Sequence, residues 1–320
     1  MKTDLEERGV AVIPNVISSQ DCDQYIEELR SWLATFGEGR FPDNIHSLIH
    51  GYGIAHHSAV WKARLKAKAV FAELWDTQKL HSSIDGVAIG RPPEKDEDSN
   101  GKLHLDQGPS KKGLHAYQGA VHLEECTEED WCISVIEKSH KLHDEYFSKF
   151  PTKSKSDFCT LTEPAKKWFS EQGCAITRIS VPKGGIVLWD SRTVYASAPP
   201  RQGRTNKDKW RFVTFVSMTP AIWSSKEDNE ERLHGYQTMR SSRHWSSQGF
   251  KLYGVRKPTK WDIRELQEVA KTTEARLLVG DLEYDFGDGQ SNGPKYKPVG
   301  NGPKCKPVGK VPVRKPYKGR

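Results

Sequence analysis

The chain lacks most of the features that mark the easily assigned protein classes. Only 35% of its 320 residues are hydrophobic and three are Met. No apolar run approaches the ~18 residues that a membrane-spanning helix needs. The opening MKTDLEERG has none of the regions of a secretory signal. These absences predict an intracellular, cytoplasmic protein without a membrane span. Cys22, Cys126, Cys132, Cys159, Cys174 and Cys305 form no C-x-x-C pair and no regular spacing, which argues against a zinc site or a disulfide framework. Walker and Rossmann glycine spacings and a G-x-S-x-G elbow are also missing.

Aromatic residues are plentiful, with 10 Trp, 10 Tyr and 11 Phe, enough to build a core and to exclude wholesale disorder. The net charge of +7 is unevenly spread. Residues 292–320 hold seven Lys, two Arg and no acid, so this segment carries +9 and residues 1–291 balance at −2. The segment repeats nine residues almost identically, NGPKYKPVG at 292–300 and NGPKCKPVG at 301–309. Two Pro/Gly-rich copies are too few for a solenoid, so residues 292–320 read as a disordered basic tail. Acidic surfaces, or nucleic acid without sequence specificity, are its expected partners.

Periodicity divides the rest. Gly9–Pro14 reads as a strand, followed by a helix capped at Ser18 or Ser19 and a second helix over Val60–Trp75. An exposed loop is expected over Arg91–Gly101. Short strands then dominate: Ala116–Leu123, Trp131–Ile136, Ala175–Val181, Gly185–Trp189 and Arg211–Met218. Helical inserts fall at His140–Phe150 and Pro164–Gln172, and a polar helix at Thr259–Leu278. The expected fold is mainly β, a jelly roll with added N- and C-terminal helices. One domain spans 1–291, with its core at about 82–220.

His104-Leu105-Asp106 is an H-x-D on a strand, which puts both side chains on one face as two ligands of an iron centre require. Chance alone yields roughly 0.7 such motifs in a chain of this composition, and His122-Leu123-Glu124 is a competing H-x-E, so context must decide. Downstream, a Gly184-Gly185 turn leads into a strand and the segment Trp189-Asp190-Ser191-Arg192-Thr193-Val194-Tyr195, and Arg211 opens a further strand. Arg suits a carboxylate anchor because its planar fork pairs in two places. Gln118 would point inward on its strand. Asp85 reads as a turn residue before Gly86, and His140/His143 as a solvated helix face.

These stretches, with HLDQ at 104–107, YQGAVHL at 117–123, KSHKLH at 138–143, SSIDGVAIGRPP at 82–93 and SSRHW at 241–245, resemble the phytanoyl-CoA dioxygenase-like family of Fe(II)/2-oxoglutarate oxygenases. The resemblance implies a double-stranded β-helix (cupin-like) fold and an Fe(II) site that uses 2-oxoglutarate and O2. It implies His104 and Asp106 as iron ligands and Arg211 as the cosubstrate anchor, with Gln118 a further cosubstrate contact. Where the family places its distal His, this chain has Tyr195. Three readings follow: Tyr195 ligates or flanks the metal; His115, His122 or His140 completes the site; or the fold survives as a binding protein with the tail as its interaction arm. The expected activity is hydroxylation of a small-molecule, acyl or amino-acid-like substrate.

Overall fold

A computed structural model describes residues 1–92, 99–152 and 156–300. Part of the expected loop over Arg91–Gly101, the second repeat copy and Cys305 lie outside the described residues. The strands are β1 (Val10–Ile13), β2 (Leu48–Ile49), β3 (Leu80–Ser82), β4 (Val87–Gly90), β5 (His104–Leu105), β6 (Tyr117–His122), β7 (Cys132–Ile136), β8 (Cys159–Thr160), β9 (Ile176–Ile179), β10 (Ile186–Asp190), β11 (Tyr195–Ala198) and β12 (Arg211–Pro220). They form a larger sheet in the order β1-β10-β6-β12-β4-β2, with β3 on the far end of β12, and a smaller sheet in the order β8-β5-β11-β7-β9. All the pairings are antiparallel. This is the expected jelly-roll architecture.

Alternation along β12 shows how the layers divide. Val213 and Phe215 join the cluster between the sheets and Arg211 faces the cavity there. Phe212, Val216 and Met218 join the cluster on the helical side. After the short α1 (Lys2–Arg8), that outer side is covered by α2 (Ser19–Ala34) and α3 (Ser58–Trp75). Ser18 Oγ accepts the Asp21 N–H at 3.0 Å to start α2, whose Cys22, Tyr25, Ile26 and Leu29 are buried. At the end of α3, Trp75 Nε1 donates to Met218 O at 2.8 Å and pins the helix to β12.

The region 259–278 corrects one expectation. Instead of one helix it holds a 3₁₀ turn at Glu268–Lys271 and a short helix at Thr273–Val279. Thr259 and Asp262 close a turn, with the Thr259 N–H donating to Asp262 Oδ2 at 2.9 Å, and local side-chain bonds of this kind compete with helix. Conversely, Lys226–Gln237 is a helix that no apolar stripe announces: Ser225 and Asp228 form its capping box, and only Arg232, Gly235 and Tyr236 are buried. Cys22, Cys126, Cys132, Cys159 and Cys174 are free thiols. No helix among the described residues is long and apolar enough to cross a membrane.

The first repeat copy also departs from expectation, because residues 292–300 lie against the body rather than forming a disordered tail. Val299 O accepts from the Lys112 N–H at 3.0 Å and bonds His115 Nε2 at 3.1 Å. Tyr296 O accepts from Trp223 Nε1 at 3.1 Å, and the two rings sit 5.7 Å apart. Gly300 has φ 107°, and a Cβ there would lie 2.1 Å from Ser110 O, so only glycine fits the close approach. Composition signalled the Pro/Gly content but not the carbonyls, which find partners on the body. A chain ending at Ser291 strips Trp223 Nε1 and the Lys112 N–H of their acceptors, each worth about 1 kcal/mol or more. Its melting temperature is expected to fall by several degrees, with a red shift in Trp fluorescence as Trp223 meets water; unchanged melting and emission would refute this docking.

Candidate active site

A cavity of about 1560 Å³ opens between the sheets, and His104, Asp106, Gln118, Tyr195 and Arg211 all line it. Strand register explains the convergence. β5 pairs with β11 so that His104 stands opposite Tyr195, and opposed antiparallel residues share a face. Their rings are 4.4 Å apart. Asp106 follows two residues after His104 and returns to the same face.

The two oxygens of the buried Asp106 carboxylate have different partners. His104 Nε2 lies 3.8 Å from Oδ1. Tyr195 Oη donates to Oδ2 at 2.5 Å, and His244 Nδ1 lies 3.5 Å from that same oxygen. His104 Nδ1 meets Lys102 O at 2.8 Å; a carbonyl only accepts, so Nδ1 carries a proton and Nε2 is the nitrogen that faces Asp106. Burial pushes the Asp106 carboxyl upward, but His244, His104, Tyr195 and Gln118 outweigh it and hold the group below the usual carboxylate range. The Gln118 side chain is buried and lines the cavity beside Asp106.

Burial first, and then Asp106, push the Tyr195 phenol well above its ordinary value. It stands here as a neutral donor whose proton is engaged by Asp106. His104 Nε2 and Asp106 Oδ1 make a nitrogen–oxygen pair that fits Fe(II). No group of three or more His, Cys, Asp or Glu side chains among the described residues is arranged to hold a metal. His104 and Asp106 are the groups that would suit a metal here, and Tyr195 braces the second of them.

Arg211 is buried at the start of β12, where Nη1 donates to Ser47 Oγ at 2.9 Å and Ser197 Oγ at 3.2 Å. Its guanidinium carbon lies 5.6 Å from the Trp131 ring centroid. Two of the three alternative histidines are engaged elsewhere: His115 with the Val299 carbonyl and His140 with Glu6 O at 3.0 Å. His122 is buried, and burial, then Arg211, hold its pKa down at about 3. His140 and His143 are both buried, not a solvated face, and His143 Nε2 bonds Gln107 O at 2.9 Å.

Sequence reasoning did not single out His244, and it preferred a turn for Asp85 over a place at the site mouth. His244 lay inside the quoted SSRHW stretch, but no period or spacing tied it to Asp106. Asp85, read as a turn residue, lines the cavity with Oδ1 accepting the Gly86 N–H at 2.8 Å. A Cβ at position 86 would lie 2.3 Å from Ile49 O, so glycine lets the strands close behind the carboxylate. Burial raises the Asp85 pKa to about 7, against the lowering pull of Gly86 and Arg64. Between about pH 4 and 7 the folded state then holds a proton that the unfolded state has lost, so stability falls as pH rises through that window and levels off above it. Metal-free protein, with chelator present, is expected to show this decline in melting temperature, and Asp85→Asn to flatten it and melt higher at pH 8. An identical pH profile in the variant would remove Asp85 as the source.

With this geometry in place, the sequence comparisons are consistent. The Ava biosynthesis cluster protein O of Aspergillus versicolor is 27% identical over 259 residues, spanning 74% of this chain and 82% of the relative. Among solved structures, the GlcNAc-inducible protein GIG2 (DUF1479) of Candida albicans aligns with a TM-score of 0.64 at 14% identity, covering 90% of this chain and 77% of its own. The epimerase SnoN, solved with Fe3+, alpha-ketoglutarate and nogalamycin RO, aligns with a TM-score of 0.51 at 18% identity over 68% of this chain and 82% of its own. At such identities the two structures share the fold with this chain. The profile of the phytanoyl-CoA dioxygenase (PhyH) family matches residues 5–205, and the chain belongs to that family.

Proposed function

We propose that the protein is an Fe(II)- and 2-oxoglutarate-dependent oxygenase that oxidises a C–H bond of a small organic substrate. The observation that carries this reading is the split Asp106 carboxylate, with one oxygen turned to His104 Nε2 and the other held by Tyr195 and His244. His104 and Asp106 would hold the iron. Iron bound with 2-oxoglutarate and O2 supplies the oxidising power, and 2-oxoglutarate leaves as succinate and CO2.

The protein's own groups do the rest. Arg211, steadied by the hydroxyls of Ser47 and Ser197, presents a cation to the cosubstrate carboxylate. Gln118, buried in the same cavity wall, offers its amide to the same ligand. Tyr195 keeps its proton on Asp106 Oδ2, which fixes the carboxylate plane and leaves Oδ1 for the metal. Trp131, Phe158, Trp189 and Trp245 supply apolar walls that thin the water around the site.

The replacement of the distal His by Tyr195 favours a second reading, a jelly-roll binding protein that keeps the cosubstrate pocket without turnover. Anaerobic calorimetry with Fe(II) and 2-oxoglutarate, followed by a succinate assay in air, separates the two. The oxygenase reading predicts metal-dependent cosubstrate binding and succinate release by this chain. Cosubstrate binding without succinate release would select the binding-protein reading. Tyr195→His adds a ring nitrogen and is expected to tighten iron by about tenfold or more, whereas Tyr195→Phe, which unbraces Asp106, should weaken it by about tenfold. Arg211→Met should raise the 2-oxoglutarate Kd by about tenfold or more while iron affinity stays put.

A further inference from the structure

The hairpin over residues 241–253 carries two cations that the chemistry above does not use. Its strands are registered by the Tyr253 N–H donating to Ser241 O at 2.9 Å, the Arg243 N–H donating to Lys251 O at 2.8 Å, and a bridge between Ser242 and Leu252. Arg243 and Lys251 therefore stand directly opposite one another and share a face with Ser241 and Tyr253. The alternate face turns inward: Ser242 Oγ accepts the Ile84 N–H at 2.8 Å, and Leu252 packs against the cluster around Ala55, Trp61 and Ile84. Alternation thus sends Arg243, Lys251 and Tyr253 into the cavity, and all three line it.

Like charges directly opposite on a hairpin are destabilising unless something neutralises them. No carboxylate of the described residues forms an ion pair with Arg243 or Lys251, although acids pair with many other cations of the chain. The buried cation Lys111 is already taken: Nζ lies 2.9 Å from Asp157 Oδ2 and 3.4 Å from the Trp245 ring centroid. Tyr253 stacks on His50 with ring centroids 3.9 Å apart, giving the cation pair an aromatic floor. Burial, and then Arg243, hold the His50 pKa down at about 4, so that floor is neutral at pH 7. His244, next in the chain to Arg243, reaches Asp106, which places the pair beside the reacting end of the cavity.

We propose that Arg243 and Lys251 form an anion clamp for the substrate, binding an oxyanion group (a carboxylate or a phosphate) so that the remainder of the molecule lies toward His104 and Asp106. This rests on the reading of the cavity as the substrate chamber and narrows its substrate to an organic anion. The cosubstrate's cation, Arg211, comes from a different element, β12, with its own hydroxyl partners. Two cations, one planar and one a mobile point charge, suit an oxyanion with several acceptor oxygens.

The test is binding of inorganic phosphate and of benzoate to the full metal-free chain, each measured by calorimetry and by melting temperature against chloride at equal ionic strength. The expected result is saturable binding of at least one anion; phosphate without benzoate assigns a phosphate group, and benzoate without phosphate a carboxylate. Lys251→Glu gives Arg243 a carboxylate partner, so it is expected to melt higher than the parent and to bind the anion at least about tenfold more weakly. Loss of binding with gained stability cannot come from misfolding. R243M/K251M should abolish the response, whereas Arg211→Met should keep it and lose 2-oxoglutarate instead. No anion binding above chloride, or binding unchanged in Lys251→Glu, overturns the clamp. Failure of succinate release with anion binding intact would instead count against the oxygenase reading alone.

Discussion

Everything at this site depends on keeping one buried carboxylate charged and oriented. Asp106 sits between the sheets, where loss of water favours the neutral acid. Four polar neighbours reverse that tendency, and they come from four places in the chain: His104 on β5, Gln118 on β6, Tyr195 on β11 and His244 on the hairpin beyond β12. Two sheets must close face to face, and the C-terminal hairpin must fold over their open edge, before the carboxylate has its full set of partners. The jelly roll here acts as the device that brings these groups together.

The same constraint explains the substitution at position 195. A phenol facing a carboxylate in a dry cavity keeps its proton and donates it, so Tyr195 braces the ligand that an imidazole in its place would join. In the proposed oxygenase, iron would then rest on two protein groups, His104 and Asp106, with Tyr195 holding the second in place. The large cavity carries the cations Arg243 and Lys251 on its hairpin wall, with aromatic side chains around them.

The C-terminal region is part of the working body. The hairpin supplies His244, Arg243 and Lys251, and the first repeat copy ties Trp223, Lys112 and His115 to backbone carbonyls. A catalytic core drawn at about 82–220 would leave out these contributions. Arg64 and Arg232, fully buried with backbone carbonyls as acceptors, extend the same solution through the helical side of the fold.

The sequence by itself determined the fold class, because period-2 apolar runs separated by turns can bury their faces only in stacked sheets. It also offered His104 and Asp106 as a same-face pair on a strand, and the family resemblance added Arg211; the structure brings all three to one cavity. Local pattern misled where polar residues dominate. The run 259–278 has turn-closing side chains at its start and only a short helix from Thr273, and the helix at 226–237 has no apolar stripe. Only the tertiary structure decided what Tyr195 does, since donor and ligand differ by which oxygen of Asp106 it meets. Only the tertiary structure brought in His244 and Asp85, which are distant in sequence from the motif and carry no spacing signal. It also decided that residues 292–300 belong to the body, because what holds them is carbonyl hydrogen bonding and a glycine-only approach, and neither is written in composition.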